Sequence, residues 1–137
     1  MKIAIVVSEF NKNITQQMLD SALLTAKKEN MQVLQVARVP GALEIPLTVK
    51  KLLKKKQIEG VATLGAVIQG DTEHDRVVAF TCAQKLVDLS LEFEKPVTLG
   101  VSGPRMTEKQ ALSRAKEYGQ RCIETLKQLK QTLKNLD

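Results

Sequence analysis

Short apolar runs alternate along the chain with longer segments in which apolar residues recur at helical spacing. The first run, residues 3–7, predicts a buried strand, because uninterrupted apolar character is typical of a strand covered on both faces. Three later runs of the same kind predict strands at residues 33–39, 60–68 and 97–101. The segments between them predict helices, so the elements follow in the order β-α-β-α-β-α-β-α-α.

Strands that alternate with helices imply a parallel sheet with right-handed crossovers and helices on both faces. We therefore expect a flavodoxin-like three-layer α/β/α sandwich with a four-stranded parallel sheet in the order 2-1-3-4. In the second helix, Leu47, Leu52 and Leu53 are expected to face the core. Since the chain contains no repeat, linker or low-complexity segment, residues 1–137 are expected to form one domain.

Two pairs of polar residues have the spacing of a capping box, in which the N-cap residue and the residue three positions later exchange hydrogen bonds. Asn13 with Gln16 predicts the start of the first helix. Thr107 with Gln110 predicts the start of the last helical stretch, and Gly119 predicts a boundary between two helices within it.

Composition narrows the choice of partners. The 137 residues are 43% hydrophobic and carry a net charge of +6, which favours anionic partners such as phosphate esters or nucleic acids. Only 3% of the residues are aromatic, so a stacking platform for nucleic-acid bases is not expected and a small phosphorylated substrate is preferred. No apolar run approaches the roughly 20 residues of a membrane span, and we expect a cytoplasmic protein without a membrane partner.

Cys82 and Cys122 each fall inside a predicted amphipathic helix, and His74 is the single histidine. Cysteine and histidine side chains alone therefore cannot supply the four ligands of a structural zinc site. We expect two buried free thiols and no metal site.

Ligands of open parallel sheets bind beyond the carboxyl ends of the strands, which here are followed by residues 8–11, 40–44, 69–74 and 102–107. Each candidate in these loops also has a simpler explanation. Phe10 is equally explained as a lid over the core, and Glu44 as a favourable charge at a helix N-terminus. His74 is either an ordinary surface residue or a general acid or base, a role that suits histidine near neutral pH.

Three segments together carry a resemblance to a known family. They are SEFN at residues 8–11, VPGALEIP at 39–46 and LGAVIQGDTEH at 64–74. The first two segments begin at or just after the end of a predicted strand, and the third includes the end of one. In this order they make residues 2–129 resemble the 6,7-dimethyl-8-ribityllumazine synthases of riboflavin biosynthesis.

The resemblance implies condensation of 5-amino-6-(D-ribitylamino)uracil with 3,4-dihydroxy-2-butanone 4-phosphate to 6,7-dimethyl-8-ribityllumazine, with release of phosphate and water. It implies neither a metal nor an organic cofactor, and it implies a functional link to riboflavin synthase. Two alternatives stay open, a non-catalytic flavin- or lumazine-binding protein and the paralogous archaeal-type riboflavin synthase.

The resemblance also implies roles for individual residues. Phe10 stacks on the pyrimidine, Glu44 holds ribityl hydroxyls, and His74 shuttles protons during imine formation and elimination. The remaining pyrimidine and ribityl contacts that it implies are Asn11, Ala42, Leu43, Ala66, Val67, Ile68 and Leu99. The phosphate contacts that it implies are Gly70, Asp71, Thr72, Arg114 and Arg121.

Members of this family place the site between neighbouring subunits of a pentamer, with Leu99, Arg114 and Arg121 supplied by the adjacent chain. The short segment between the two arginines favours the branch of the family in which pentamers assemble into a 60-subunit shell. Two positions depart from the family pattern, since Leu99 stands where many relatives have Phe and Asp75 where an aromatic residue commonly follows the histidine.

Overall fold

A computed structural model describes residues 1–137 and contains one sheet of parallel strands. The strands are β1 (Lys2–Ser8), β2 (Gln32–Val39), β3 (Gly60–Ala66) and β4 (Val97–Ser102). Their order in the sheet is β2-β1-β3-β4, which confirms the predicted fold class and strand order. β1 and β3 are the central strands and are almost entirely buried, as their apolar runs predicted.

Four helices cover the sheet, and a single 3₁₀ turn precedes the second of them. The helices are α1 (Lys12–Lys28), α2 (Ile45–Leu53), α3 (His74–Phe93) and α4 (Glu108–Leu136), and the turn is Ala42–Glu44. One hydrophobic core lies between the sheet and the layer of α1 and α4, and a second lies between the sheet and the layer of α2 and α3. The side chains of β1 alternate between the two cores, with Ile3 and Ile5 in the first and Ala4 and Val6 in the second. No helix combines the length and apolarity that a membrane crossing requires.

The first helix starts earlier than predicted. Asn11 is its N-cap, with φ of 60°, and Asn13 lies inside the helix, so the predicted capping box of Asn13 and Gln16 is wrong. The side-chain Nδ2 of Asn13 instead donates to Glu108 Oε1 at the start of α4, at 3.3 Å. The second predicted capping box is confirmed, since the Gln110 amide donates to Thr107 Oγ1 at 3.2 Å and the Thr107 amide donates to Gln110 Oε1 at 3.0 Å.

The C-terminal stretch is one continuous helix, so the predicted boundary at Gly119 is wrong. Gly119 is buried where α4 crosses α1, and a Cβ atom there would lie 2.2 Å from the carbonyl oxygen of Met18. The glycine therefore serves the close approach of two helices rather than the end of one.

Three smaller predictions concern the end of β3, the leucines of α2 and the two cysteines. β3 ends at Ala66, two residues before the predicted end at Ile68, because the chain leaves the sheet there to form the next loop. Leu47 is 72% exposed and does not face the core, whereas Leu52 and Leu53 are buried as predicted. Both cysteines are free and buried, also as predicted.

Candidate active site

A cleft of about 300 Å³ opens at the carboxyl edge of the sheet, where the ends of β1, β2 and β3 meet the start of α3. The residues that line it are Ser8, Phe10, Asn11, Gly41, Ala42, Leu43, Glu44, Ala66, Val67, Ile68, His74, Asp75 and Val78. Loops that are far apart in the sequence thus meet at one site, which is the arrangement expected of a ligand site in an open α/β sheet.

Backbone hydrogen bonds join the loop after β1 to the loop after β2. The amide of Glu9 donates to the carbonyl of Val39 at 2.7 Å, and the amide of Phe10 donates to that of Pro40 at 3.0 Å. The Phe10 side chain is left 72% exposed at the mouth of the cleft. A large apolar ring held out on a tethered backbone is poorly placed to cover the core and well placed to stack on a planar ligand.

Asn11 joins the first loop to the third strand. Its backbone is in the left-handed region, which Asn tolerates better than most residues, and its Nδ2 donates to the carbonyl of Ala66 at 2.7 Å. This bond holds the end of β3 against the start of α1, so Asn11 contributes to the shape of the cleft.

The loop after β3 is held in turn by the loop after β4. The amide of Val67 donates to the carbonyl of Ser102 at 3.0 Å, and the amide of Gln69 donates to that of Met106 at 2.9 Å. His74 follows as the first residue of α3, with its amide 3.3 Å from Thr72 Oγ1 and its side chain exposed to the cleft. An imidazole at the rim can therefore reach a bound ligand without rearrangement of the backbone.

Four residues line the cleft that the sequence did not single out as site residues, namely Ser8, Gly41, Asp75 and Val78. Asp75 differs most from expectation, because it is a carboxylate only 7% exposed. Its Oδ2 accepts a hydrogen bond from the backbone amide of Arg105 at 2.9 Å. The signals in the sequence were its position directly after His74 and its departure from the aromatic residue that is common there in the family.

The remaining predicted residues lie outside the cleft. Gly70, Asp71 and Thr72 are exposed in the loop just before His74. Leu99 and Arg121 line a second cleft, of about 410 Å³, between β4 and α4. Arg114 lies two turns before Arg121 on the same helix. One chain therefore brings together the residues predicted to contact the pyrimidine and ribityl groups, apart from Leu99, but leaves the two arginines elsewhere.

The charges of the two clefts are opposite in sign. The carboxylates of Glu44 and Asp75 line the first cleft, and neither Lys nor Arg does. Arg121 lines the second, where it forms an exposed ion pair with Glu117 at 3.4 Å. The polar contact of Arg114 is a long one, from its Nη1 to Met106 Sδ at 3.9 Å, so this guanidinium has no acidic partner within the chain.

Neither cysteine is suited to nucleophilic chemistry. Burial raises the pKa of the Cys82 thiol to about 11, and burial likewise raises that of Cys122 to about 11 despite hydrogen bonds with Thr98 and Thr63. Both thiols therefore stay protonated at neutral pH. No group of three or more His, Cys, Asp or Glu side chains lies close enough together to hold a metal ion.

The fold is that of a flavodoxin-like α/β protein, with a cleft at the carboxyl edge of its sheet, where ligands of such proteins bind. Within that class, the family model for 6,7-dimethyl-8-ribityllumazine synthase matches residues 1–134. The chain belongs to this family, and it is an enzyme of the transferase type that acts in riboflavin biosynthesis.

Individual relatives agree with the family model. The chain is 50% identical over 137 residues to the 6,7-dimethyl-8-ribityllumazine synthase of Saccharolobus solfataricus, with 100% of this chain and 89% of that protein aligned. It is 48% identical to the synthase of Metallosphaera sedula, with 99% of this chain and 90% of the relative aligned. It is 46% identical to that of Pyrobaculum arsenaticum, with 99% and 91% aligned. These matches favour the synthase over the two alternatives that the sequence left open.

Proposed function

We propose that the first cleft is one half of the active site, and that it binds 5-amino-6-(D-ribitylamino)uracil for condensation with 3,4-dihydroxy-2-butanone 4-phosphate. The exposed ring of Phe10 stacks on the pyrimidine, an interaction worth about 1–3 kcal/mol in comparable contacts between bases and aromatic side chains. Ala42, Leu43 and the Glu44 carboxylate hold the ribityl hydroxyls. The backbone of Ala66, Val67 and Ile68 follows the edge of the ring, because these apolar side chains cannot form hydrogen bonds.

His74 is the proton shuttle in this proposal. Its imidazole lines the cleft beside the ring-binding residues, and a positioned general acid or base contributes about 10²–10⁴-fold to a rate. The exposed Gly70, Asp71 and Thr72 turn immediately precedes α3, whose N-terminus favours an anion. The phosphate of the second substrate would lie at this turn, with the reacting ketone between it and the pyrimidine.

The assignment of the other half-site rests mainly on the absence of Lys and Arg from the first cleft. The first cleft contains two carboxylates and no Lys or Arg, although one substrate is a phosphate ester that a cation would stabilise. Arg114 has no acidic partner, and Arg121 and Leu99 lie at the second cleft of the same chain. We infer that Leu99, Arg114 and Arg121 of a neighbouring copy complete the site, with the guanidinium of Arg114 on the phosphate.

The exposed side of α3 supports self-association. Val77, Phe80, Val87 and Leu91 are each more than half exposed and recur at intervals of three, four and seven residues, so they form one apolar stripe. Large contiguous apolar surfaces of this kind mark protein interfaces. The proposed assembly is a pentamer, and the shell of 60 subunits is its proposed extension. Light scattering would then give five or sixty times the chain mass of 15.2 kDa.

Three further proposals concern the domain, the metabolic partner and the location of the enzyme. Residues 1–137 act as one lumazine synthase domain, and the product passes to riboflavin synthase as the link between the two enzymes. The two free thiols are compatible with the reducing cytoplasm, which we propose as the location.

Complementation between two inactive variants tests the shared site. His74→Ala alters the first cleft and Arg114→Ala alters the second half-site, and each alone should lower turnover by about 10²-fold or more. When the two variants are unfolded together and reassembled in equal amounts, about a quarter of the sites should combine an intact His74 with an intact Arg114. The measurement is lumazine fluorescence together with release of inorganic phosphate.

A matched pair provides the control. Phe10→Ala and His74→Ala both alter the first cleft, so no mixed assembly of these two variants contains an intact site and activity should not recover. A mixture of His74→Ala and Arg114→Ala that also stays inactive would contradict a site shared between copies. Retention of wild-type turnover by His74→Ala would remove this residue from the mechanism.

A further inference from the structure

Asp75 is the one carboxylate that is both buried and part of the first cleft. It is the second residue of α3, and its Oδ2 accepts the backbone amide of Arg105 at 2.9 Å. This bond ties the start of α3 to the loop after β4, where Arg105 has a positive φ of 59°. Because the carboxylate is held at one oxygen, its position in the cleft is fixed.

The other oxygen is available to a ligand. Asp75 forms no salt bridge, and its single hydrogen bond in the protein is the one at Oδ2. No side-chain oxygen that is fully shielded from solvent lacks a hydrogen-bond partner, so Oδ1 must be open to solvent. The residue as a whole is only 7% exposed and lines the cleft, so the cleft is the surface from which a ligand would reach Oδ1.

We propose that Asp75 Oδ1 accepts a hydrogen bond from the 5-amino group of the bound pyrimidine, which makes Asp75 an additional substrate-binding residue. The inference rests on the proposed function of the cleft. Asp75 is adjacent to His74, the proposed proton shuttle, and the amine is the group of the pyrimidine whose protons must be transferred. An ionised carboxylate accepts hydrogen bonds and donates none, so it selects an N–H group over a carbonyl at this place.

The same contact assists the first bond-forming step. The amine nitrogen forms a C–N bond to the ketone carbon, and the carbonyl oxygen takes up the displaced electron pair. The nitrogen carries a positive charge until it loses a proton to His74, which passes that proton to the alkoxide to give a carbinolamine. Loss of the hydroxyl group together with the second nitrogen proton, as water, then gives the imine. A fixed carboxylate next to the nitrogen stabilises this charge without moving. The negative charge of Asp75 also disfavours the phosphate at this end of the cleft, which leaves the phosphate to the exposed turn before His74.

The test compares two ligands and two forms of the full-length assembled protein. The ligands are 5-amino-6-(D-ribitylamino)uracil and the analogue with hydrogen in place of the 5-amino group. Asp75→Asn retains an oxygen for the Arg105 amide but can present an NH₂ donor to the cleft, so the tether is preserved while the acceptor is lost. The wild type should bind the amino compound about 10- to 100-fold more tightly than the analogue, and this ratio should fall close to one in Asp75→Asn.

The outcomes separate the possible roles of Asp75. An unchanged ratio in Asp75→Asn would overturn the proposal and leave Asp75 as a tether of the loop, because a tether affects both ligands alike. If Asp75→Asn does not fold, the wild type alone still tests the proposal, because equal affinity of the wild type for the two ligands would overturn it. Failure of the proposed function itself gives a different result, in which the wild type binds neither compound and Phe10→Ala changes nothing.

Discussion

The two helical layers cover opposite faces of one sheet in different ways. Where α4 crosses α1, the backbones approach so closely that a Cβ at Gly119 would lie 2.2 Å from the Met18 carbonyl oxygen. On the other face, α3 leaves Phe80 54% and Leu91 72% exposed, and Leu47 of α2 is 72% exposed. The first layer also exposes leucines, such as Leu24 on α1 and Leu136 at the end of α4, but only α3 carries four large apolar side chains that are each more than half exposed and form one stripe.

The difference between the two layers coincides with the position of the candidate active site. The first cleft borders α2 and α3, the layer with the exposed apolar stripe, and it lacks the cation that a phosphorylated substrate needs. Under the proposed function, both deficiencies are removed by neighbouring copies of the chain. The layer of α2 and α3 would then carry the first cleft and the apolar stripe, whereas α4 of the other layer would supply Arg114 and Arg121 to the neighbouring copy.

The largest effect is expected from charges on the apolar stripe of α3. Phe80→Lys combined with Leu91→Lys should raise the dissociation constant of the assembly by about 10²- to 10⁴-fold, because two large apolar side chains lose burial worth about 1.5–3 kcal/mol each. The secondary structure should be unchanged, since both residues are more than half exposed in the single chain. Light scattering over a range of concentrations measures the assembly, and circular dichroism measures the fold.

The control for this prediction places equal charge on the other layer. Leu24→Lys combined with Leu136→Lys also replaces two exposed leucines, one on α1 and one at the end of α4. This variant should assemble like the wild type. If both variants dissociate to the same extent, net charge rather than the α3 stripe controls assembly.

A smaller effect is expected at the contact between α1 and α4. Gly119→Ala forces two backbones apart, at a cost of about 3 kcal/mol, and gains about 1 kcal/mol because alanine favours the helix. The free energy of unfolding should therefore fall by about 2 kcal/mol, measured by urea denaturation at fixed protein concentration. Gly70→Ala is the matched control, because no atom lies within 4 Å of its added Cβ. Equal stability of both variants would show that the two helices separate easily.

The smallest effect is expected from an ion pair at the surface of the first layer. A hydrogen bond from Lys130, assisted by one from the Lys2 amide, holds the pKa of Glu59 below its usual value of 4.5. This contribution to stability is complete above pH 4.5 and is lost as the pH falls through the lower pKa of the folded state. Both side chains are partly exposed, so the loss should not exceed about 1 kcal/mol. Glu59→Gln should lack this component of the acid dependence, and an identical pH profile would contradict it.

Local patterns in the sequence predicted the parallel sheet, the order of the elements apart from a second C-terminal helix, and three of the four loops expected at the first cleft, since residues 102–107 do not line it. Apolar runs identify buried strands directly, and ligands of parallel sheets bind at a known edge, so no long-range information was needed. The segments at residues 8–11, 39–46 and 64–74 also indicated the family, which the comparisons confirm. The roles of the individual site residues stay predictions.

Other features depend on contacts between distant parts of the chain. Asn11 rather than Asn13 is at the N-cap of α1, and its side chain is held by the carbonyl of Ala66. Gly119 has the propensity of a helix breaker, a cost of about 1 kcal/mol, yet the packing of α4 on α1 keeps the helix continuous. Ala66 lies far from Asn11 in the sequence, and α1 lies far from Gly119, so no local pattern could have indicated either contact.

The arrangement of charged side chains around the site was the feature that depended most on the tertiary structure. The family resemblance identifies Arg114, Arg121 and His74 as candidates, but it does not single out Asp75, and amino-acid type alone does not show which side chains share a cleft. Helix α4 carries both arginines away from the carboxylates of the first cleft, and the Arg105 amide fixes Asp75 inside it. Residue chemistry is carried by each side chain alone, whereas burial and proximity exist only once the backbone has brought distant segments together.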